Sequence, residues 1–481
     1  MSFKHLKTAA EKRRASTHAS SSNDVISTRL VSEQWTPYRD EYLSELIRNE
    51  GRGEAEKMRC FDCGSGPHDG CDEPSYRCLE CIYPELLCKL CCVRRHEDMP
   101  LHWIEKWNGS FFTTVTLKEL GVVVQLGHPR GEQCPHPHII KSFIAIHLLR
   151  RRWYPATHLD PHTCATFDLL NHFHIMTLQG KVNVYDYYNG LEKLRNNGGL
   201  HKDKDQYEAF CRMIRQWRHL KMLKRAGRGN DGLRPVEKTT TGELAIECPA
   251  CPRVGVNLPP DWRDVPLHLR FKYWLYLAVD ACFHLKRRLV SSEAWDPGLG
   301  TGWSYFVEDA EFRQYLWEVT DQREVNMCTC TGLAALETAN TKFSRGYACT
   351  GCGLGMCARH EFVQKNGVVD LQKGERYANM DYGLASLLRH HDHCLTKVQS
   401  YDIACQWSKH LIEQLKKLPA MVQLNLALHI VYFVIPKLHI YGHQVLCQLT
   451  FSLNWLWEAG RTDREGIERP WAHMGPVATS T

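Results

Sequence analysis

The chain reads as an α/β fold with a small cysteine-rich module and a helical, basic segment ahead of it. Three observations carry this reading. They are four Cys or His pairs between Cys60 and His102, a mainly helical stretch from about 140 to 225 that ends in a row of Arg and Lys, and three short apolar runs beyond Tyr273. The 481 residues have room for about three domains. With 43% hydrophobic and 24% charged residues the composition is ordinary for a globular protein, which excludes wholesale disorder and a fibrous architecture.

Residues 1–57 are polar and lack sustained periodicity until Tyr42, Leu43, Leu46 and Ile47, so a disordered tail is expected there. The opening MSFKHLKTAAEKRRAS has charge but no apolar h-region, and the longest apolar-looking stretch, Met421 to Ile435, is broken by Gln423, Asn425 and His429. Neither a signal peptide nor a membrane span is expected. Without a secretory signal, 22 cysteines and 26 histidines point to a reducing compartment, where clustered cysteines are metal ligands more often than disulfides.

Residues 58–139 hold the first cluster. Cys60 and Cys63, Cys78 and Cys81, and Cys88 and Cys91 form three C-x2-C knuckles, and His96 with His102 supplies a fourth pair. Eight such ligands in four pairs are what two tetrahedral Zn²⁺ ions need, because thiolate and imidazole suit zinc and a two-residue gap lets both sulfurs reach one ion. The order resembles cross-brace fingers of the ZZ type, which implies that the first and third pairs share one ion and the second and fourth the other. Cys71 and Cys92 are spares, and either can replace a neighbour. Four protein ligands per ion leave no open position, so this zinc is expected to be structural, with function on the surface it orders. The following FFTTVTLKELGVVVQLGH suggests short strands, or a strand and a helix.

Residues 140–235 are expected to form a helical, basic linker domain that ends at the turn formers of AGRGNDGLRP. Between Arg195 and Lys238 there are 12 Lys/Arg against 5 Asp/Glu, while the whole chain carries a formal charge of only +6. Arg212, Arg215, Arg218, Lys221, Lys224, Arg225 and Arg228 recur mostly every three residues, which on a helix makes a stripe able to track phosphates or simply a solvated face.

From 236 to 481 the pattern is α/β. YWLYLAVDA is a buried strand ending in an acid, Asp280. A weaker run precedes Asp402, a helical SKHLIEQLKKL follows it, and HIVYFVIPKLHI makes a third run. Glu468 lies in GRTDREGIERPW. Two aspartates and a glutamate on neighbouring elements can hold two Mg²⁺ or Mn²⁺ ions about 4 Å apart. Glu465, three residues before Glu468, is the alternative third acid; Asp463 and Asp381 are further acids of expected structural role. A cysteine-rich insertion, about 321–375, has Cys328, Cys330, Cys349, Cys352, Cys357 and His360 in the pattern C-x-C-x18-C-x2-C-x4-C-x2-H, more ligands than one zinc uses. Cys248 and Cys251, in CPAC, form one more knuckle with no partner assignable from sequence.

Several long motifs occur in order: CPACPRVGVNLPPDW, AVDACFHLKRRLVSSEAWDPGLGTGWSYF, CARHEFV, DLQKGERYANMDY, SYDIACQWS, IPKLHIYGH and GRTDREGIERPWAHMGPVATST. Together they resemble the Kyakuja-Dileera-Zisupton (KDZ) transposases, and RCLECIYPELLCKLCCVRRHEDMPLHWIEKWNG resembles the CxC-type cysteine-cluster domain fused to them. The resemblance implies a ribonuclease H-like core that cuts DNA and joins the liberated 3′-hydroxyl to a target. It implies Asp280 and Asp402 as the first two acids and Glu468, or Glu465, as the third. His439 and His443 are then expected to support the site. At the insertion, Cys330, Cys357 and His360 match family positions, and Cys349 and Cys352 are additions able to complete a zinc site. DNA ends and target DNA become the expected partners, with chromatin peptides a further class, homo-oligomers on DNA the working form and the nucleus the place of action. Family members continue past VATST, so a C-terminally truncated copy is expected, and a catalytically inactive DNA- or chromatin-binding derivative is the alternative. A cross-brace ubiquitin ligase is disfavoured, because nothing else in the chain resembles a conjugation enzyme.

Overall fold

A computed structural model describes residues 36–52, 59–66, 72–83, 85–124, 126, 145–198, 204–232, 234–289, 298–319, 346–372, 374–425, 429–460, 462 and 464–475. The chain divides into two compact units, 1–139 and 140–481. No helix among the described residues is long and apolar enough to cross a membrane.

In the first unit α1 spans Arg39–Glu50, where the periodic Tyr42, Leu43, Leu46 and Ile47 fall, while residues 1–35 of the expected tail lie outside the described residues. Asp40 and Glu41 in its first turn and Arg48 in its last complement the helix dipole. Arg77 ties down its C-terminal end by donating to the carbonyl oxygens of Asn49 (2.5 Å) and Gly51 (3.3 Å). Strands β1 (Tyr76–Cys78), β2 (Ile104–Trp107) and β3 (Phe112–Val115) form an antiparallel sheet in that order. Helix α2 (Lys89–His96) lies between β1 and β2 in sequence. After β3 comes the short α3 (Leu117–Leu120), closed by a Thr116/Glu119 capping box and by Gly121 in the left-handed region at φ 99°. The core beneath is small: Tyr76, Leu87, Ile104, Leu117 and Leu120 with the thiols of Cys60, Cys78, Cys88 and Cys92. So little apolar volume calls for a staple such as a metal.

The second unit begins with α4 (Ala145–Arg150) and an antiparallel pair, β4 (Trp153–Pro155) and β5 (Cys164–Thr166). Three helices follow, α5 (Phe167–Gly180), α6 (Val184–Asn196) and α7 (Tyr207–Arg225). Thr166 and Asn183 cap α5 and α6 by accepting from the N–H groups of Leu169 and Asp186. Leu170 and Phe173 of α5 pack with Phe210, Met213 and Ile214 of α7.

Next comes a five-stranded sheet. Strand β6 (Leu275–Cys282) is central; β7 (Arg287–Arg288) pairs with β8 (Tyr347–Cys349) beside the sheet, and α8 (Asp309–Glu318) lies between them in sequence. Then follow β9 (Gly351–Cys357), β10 (Val363–Leu371), α9 (Tyr377–Leu388), β11 (Thr396–Ser400), α10 (Ala404–Trp407), α11 (Leu411–Leu415), β12 (Ile430–Val434), α12 (Val445–Thr450) and α13 (Glu468–Met474). The strand order is β10-β9-β6-β11-β12. β6, β9 and β10 pair antiparallel, whereas β6, β11 and β12 run parallel. Side chains alternate along β6: Leu275, Leu277 and Val279 pack with Tyr382 and Leu384 of α9, while Tyr276 and Ala278 pack on the other face with Leu453, Ile467 and Trp471. Burial on both faces is why β6 reads as a nearly unbroken apolar run.

The segment expected as an insertion, about 321–375, instead supplies two of the five strands. Its β9 sequence, GCGLGMC, has no β-branched residue, so strand propensity gives no sign of it. Its glycines let α9 lie close against the sheet: a Cβ at Gly355 would come within 2.4 Å of Leu387 Cδ1, and one at Gly353 within 2.8 Å of Met380 Sδ.

His391, buried just after α9, meets the side-chain oxygen of Gln364 through Nε2 at 2.8 Å. Burial first, then His393, His390 and Lys397 nearby, pulls its pKa down to about 3. Above the ordinary imidazole value both folded and unfolded forms are neutral. As pH falls from about 6.5 toward 3 the unfolded chain takes the proton first, so this group's contribution to stability is lost across that window. Urea midpoints measured between about pH 6.5 and 4 are expected to fall less steeply in His391→Gln than in the parent chain.

Candidate active site and metal centres

Parallel pairing of β6 with β11 places Leu275 opposite Lys397 and Ala278 opposite Ser400. β6 runs on two residues to Asp280, and Asp402 follows two residues after the end of β11, near enough for its charge to act on Asp280. On its other side Asp280 pairs with Leu354 of β9. Burial, then the charges of Asp402 and Glu375, pushes the Asp280 carboxyl well above the ordinary carboxylate range. One of its oxygens accepts a hydrogen bond from Trp471 Nε1 at 2.8 Å. Trp471 sits on α13 three residues after Glu468, so both occupy one side of that helix.

His439, in the loop after β12, joins the remaining acids. Its Nδ1 lies 3.0 Å from Asp402 Oδ2, and its Nε2 lies 3.7 Å from Glu465 Oε2 and 3.9 Å from Glu468 Oε1. The hydrogen bond to Asp402, reinforced by the charges of Asp402, Glu465 and Glu468, raises its pKa to about 9 against the opposing effect of burial. The imidazole thus joins acids from two chain segments, Asp402 and the Glu465–Glu468 stretch. Glu465 is the inward one of the two glutamates, 12% exposed, and accepts from the Leu438 N–H at 2.6 Å; Glu468 is 51% exposed at the open side. Sequence left these two as alternatives, and the structure gives them different environments within one cluster.

One acid here escaped the sequence reading. Glu375, just before α9, accepts from the Tyr401 hydroxyl, and its pKa rises to about 7 through burial and the nearby Asp402 charge. It lies within the family-like string DLQKGERYANMDY, but nothing in spacing distinguishes it from Asp381. Asp381 is buried on α9 and accepts from Trp407 Nε1 at 2.6 Å, as a structural acid does. Asp463 lies outside the described residues. His443 bonds to the Asp402 backbone, and its Nδ1 lies 3.5 Å from Cys405 Sγ.

The first unit contains two ligand sets. Cys60, Cys63, Cys88 and Cys91 gather in one, and Cys78, Cys81, His96 and His102 in the other, each with all ligand atoms within 4.8 Å of one another. This is the cross-brace grouping. Cys78 Sγ lies 3.4 Å from His102 Nδ1, and Cys81 Sγ lies 3.4 Å from His96 Nε2. His96 Nδ1 is 2.7 Å from the Cys92 carbonyl oxygen, the outer contact that fixes the tautomer of a ligating imidazole and frees Nε2 for a metal. Backbone N–H groups of Cys88, Cys91 and Glu80 point at the sulfurs of Cys60, Cys88 and Cys78. Both sets can hold zinc. Cys92 is buried outside them, and Cys71 lies outside the described residues.

In the second unit Cys357 and His360 do not meet Cys349 and Cys352. Instead Cys357 gathers with Cys248 and Cys251, and His360 Nδ1 lies 3.6 Å from Cys248 Sγ and 3.5 Å from Cys357 Sγ. Cys352 pairs across the sheet with Cys282, and Cys349 pairs with Arg287 of β7, so strand register carries both away from the site. Cys328 and Cys330 lie outside the described residues.

The match to known families now falls on this geometry. Residues 273–481 match the model described as Kyakuja-Dileera-Zisupton transposase. This part of the chain is a KDZ transposase domain. The KDZ match spans all five strands of the central sheet and Asp280, Asp402, Glu465 and Glu468. Residues 143–199 match the CxC2 like cysteine cluster associated with KDZ transposases. That second match covers α4 to α6, a stretch whose one cysteine is Cys164, whereas the sequence reading put the CxC-type domain at 58–139. No curated protein and no solved structure matches the chain.

The basic row is helical through α7, but its members differ. Arg228, beyond the helix end, is buried in contact with Asp231 and Glu243 and donates to the Pro235 carbonyl at 2.6 Å, which removes it from any phosphate-facing stripe. Arg218 donates to Thr177 Oγ1 and lies over the Phe173 ring, and Arg212 donates to the Ala156 carbonyl. Arg215 and Lys221 are half-buried, and Lys224 and Arg225 are exposed in the last turn. If α7 meets duplex DNA, Lys224→Ala with Arg225→Ala should flatten the salt dependence of binding by about 0.9 log units per lost phosphate contact. An unchanged slope would make the row a solvated face. Arg228→Ala should instead lower the urea midpoint, since it takes the buried guanidinium from Asp231 and from the Pro235 carbonyl, while Glu243 keeps Arg234.

Proposed function

We propose that the chain is a DNA transposase whose KDZ domain is a ribonuclease H-like core carrying out metal-dependent strand cleavage and strand transfer. The observation that carries this is the parallel pairing of β6 with β11, because Asp280 lies near the end of the first strand and Asp402 two residues past the second, with the two charges interacting. A sheet of three antiparallel strands continued by two parallel ones supports the ribonuclease H-like reading.

The donor set fits a hard dication. Carboxylate oxygens predominate in the cluster, with the His439 imidazole among them, and burial together with the Asp402 and Glu375 charges raises the Asp280 carboxyl, which a bound cation would relieve. Asp280, Asp402 and Glu468 would hold Mg²⁺ or Mn²⁺, which activates a nucleophilic oxygen and stabilises the leaving one. Glu465, bonded to the Leu438 N–H, would steady His439, and His439 would orient Asp402. Trp471 would hold Asp280 in place from the helix that brings Glu468.

The zinc sets of the first unit are structural in this reading and present a surface to DNA or chromatin peptides in the nucleus, with the chain working as a homo-oligomer on transposon ends and target. The test is incubation of the purified chain with supercoiled plasmid and Mg²⁺ or Mn²⁺. Cation-dependent nicking supports the proposal. Plasmid binding without nicking under either cation would leave a DNA-binding derivative in its place.

A further inference from the structure

We propose that Cys248, Cys251, Cys357 and His360 bind one structural zinc ion, and that this ion braces the segment carrying Glu465 and Glu468. The ligands come from two short knuckles, C-x2-C in CPAC and C-x2-H in CARH, brought together across 105 residues. Cys248 Sγ and Cys357 Sγ lie 3.8 Å apart, and His360 Nδ1 lies 3.6 and 3.5 Å from them. A tetrahedral zinc with sulfur at 2.3 Å and nitrogen near 2.05 Å has edges of about 3.8 Å between sulfurs and about 3.6 Å from sulfur to nitrogen, which these three separations match; Cys251 Sγ lies within 4.8 Å of both other sulfurs, and His360 stands farther from it. Backbone N–H groups of Ala250 and Cys251 point at Cys248 Sγ, and those of Arg359 and His360 at Cys357 Sγ, so each knuckle aims donors at a sulfur, as thiolate ligands require. All three thiols are buried. With four protein ligands the site is closed, which suits a structural ion.

Its position gives it a second consequence. Cys357 ends β9 opposite Leu277, three residue pairs along the strand from Asp280 and Leu354. The knuckle then turns back: the Glu361 N–H donates to the Cys357 carbonyl at 2.9 Å, with Glu361 held in the left-handed region at φ 60°. That conformation delivers the Glu361 carboxylate to Arg469, the residue after Glu468, and sets its side chain against Gly466. From the same knuckle Arg359 lies 3.6 Å from the Tyr276 ring centroid, and Arg464, the residue before Glu465, lies 4.1 Å from the same centroid. The zinc turn therefore touches the 464–469 segment directly at Gly466 and Arg469, and shares the Tyr276 ring with Arg464. Cys248 and Cys251 lie ahead of the KDZ match, so the domain needs residues upstream of it to complete this brace.

The ligand assignment stands apart from the proposed reaction, while the importance of the brace rests on it, so the test uses readouts that need no cleavage. Metal analysis of the full chain is expected to show one zinc fewer in the Cys248→Ser/Cys251→Ser variant than in the parent, and no loss in Cys349→Ser/Cys352→Ser. Should the serine pair fail to fold, His360→Ala against His360→Cys separates the cases, with zinc lost in the first and kept in the second. Hydrogen exchange across 464–475 is expected to quicken in every zinc-depleted variant. Equal zinc in parent and Cys248→Ser/Cys251→Ser, or loss in Cys349→Ser/Cys352→Ser, would overturn the ligand set. Zinc loss with unchanged exchange at 464–475 would overturn the brace.

Discussion

Asp280→Asn and Asp402→Asn are each expected to reduce plasmid nicking by at least about 1,000-fold, a loss of about 4 kcal/mol of transition-state stabilisation, with DNA affinity nearly unchanged. The asparagine keeps the shape of the carboxylate and removes the charge a dication needs. Folding should survive the change, and at Asp280 it should improve, because burial and the neighbouring acids already disfavour the charged form. A thermal midpoint at or above the parent's, together with lost nicking, separates a chemical defect from a structural one. The two glutamates should also differ. Glu468→Gln should match the aspartate variants, while Glu465→Gln should act through His439, whose pKa should fall from about 9 as one of its supporting charges goes. Nicking by Glu468→Gln at the parent rate would transfer the third position to Glu465.

Removal of zinc from the first unit is the second large effect. Structural zinc contributes about 10–16 kcal/mol of apparent binding free energy in small fingers, against roughly 5–15 kcal/mol of total stability for an ordinary domain. The core of this unit is small and partly made of the ligands themselves, so little remains to hold it once the ions leave. Cys88→Ser opens one set and Cys78→Ser the other. Each variant is expected to lose one zinc per chain and to expose residues 59–124 to protease, while the second unit keeps its digestion pattern. Full protease resistance of 59–124 in a zinc-stripped chain would show that the ligand sets do not carry the fold.

The sequence was most informative where chemistry is written in local spacing or in unbroken apolar runs. Four knuckle pairs marked the ligands of the first unit, whose grouping came from the likeness to cross-brace fingers, and YWLYLAVDA sufficed for β6, because a strand buried on both faces must be apolar throughout. β9 was hidden because GCGLGMC is small rather than β-branched, its glycines serving the close approach of α9. For the same reason Cys349 and Cys352 looked like metal ligands when strand register places them elsewhere. The partners of Cys248 and Cys251 could not be read, since they come together only when β9 lies beside β6. Glu375 was invisible on similar grounds: its burial and its contact with Tyr401 are tertiary facts with no trace in residue spacing. The basic row misled at Arg228, where Asp231 and Glu243 draw the guanidinium inward just past the last helical turn.

The central claim is that Asp280, Asp402 and Glu468 share a divalent-cation site, and a crystal of the full chain soaked in Mn²⁺ tests it most directly through anomalous scattering. The account predicts a manganese peak ligated by both Asp280 and Asp402, absent from crystals of Asp280→Asn. Crystals with no manganese between these two carboxylates, under conditions in which the chain nicks DNA, would contradict it.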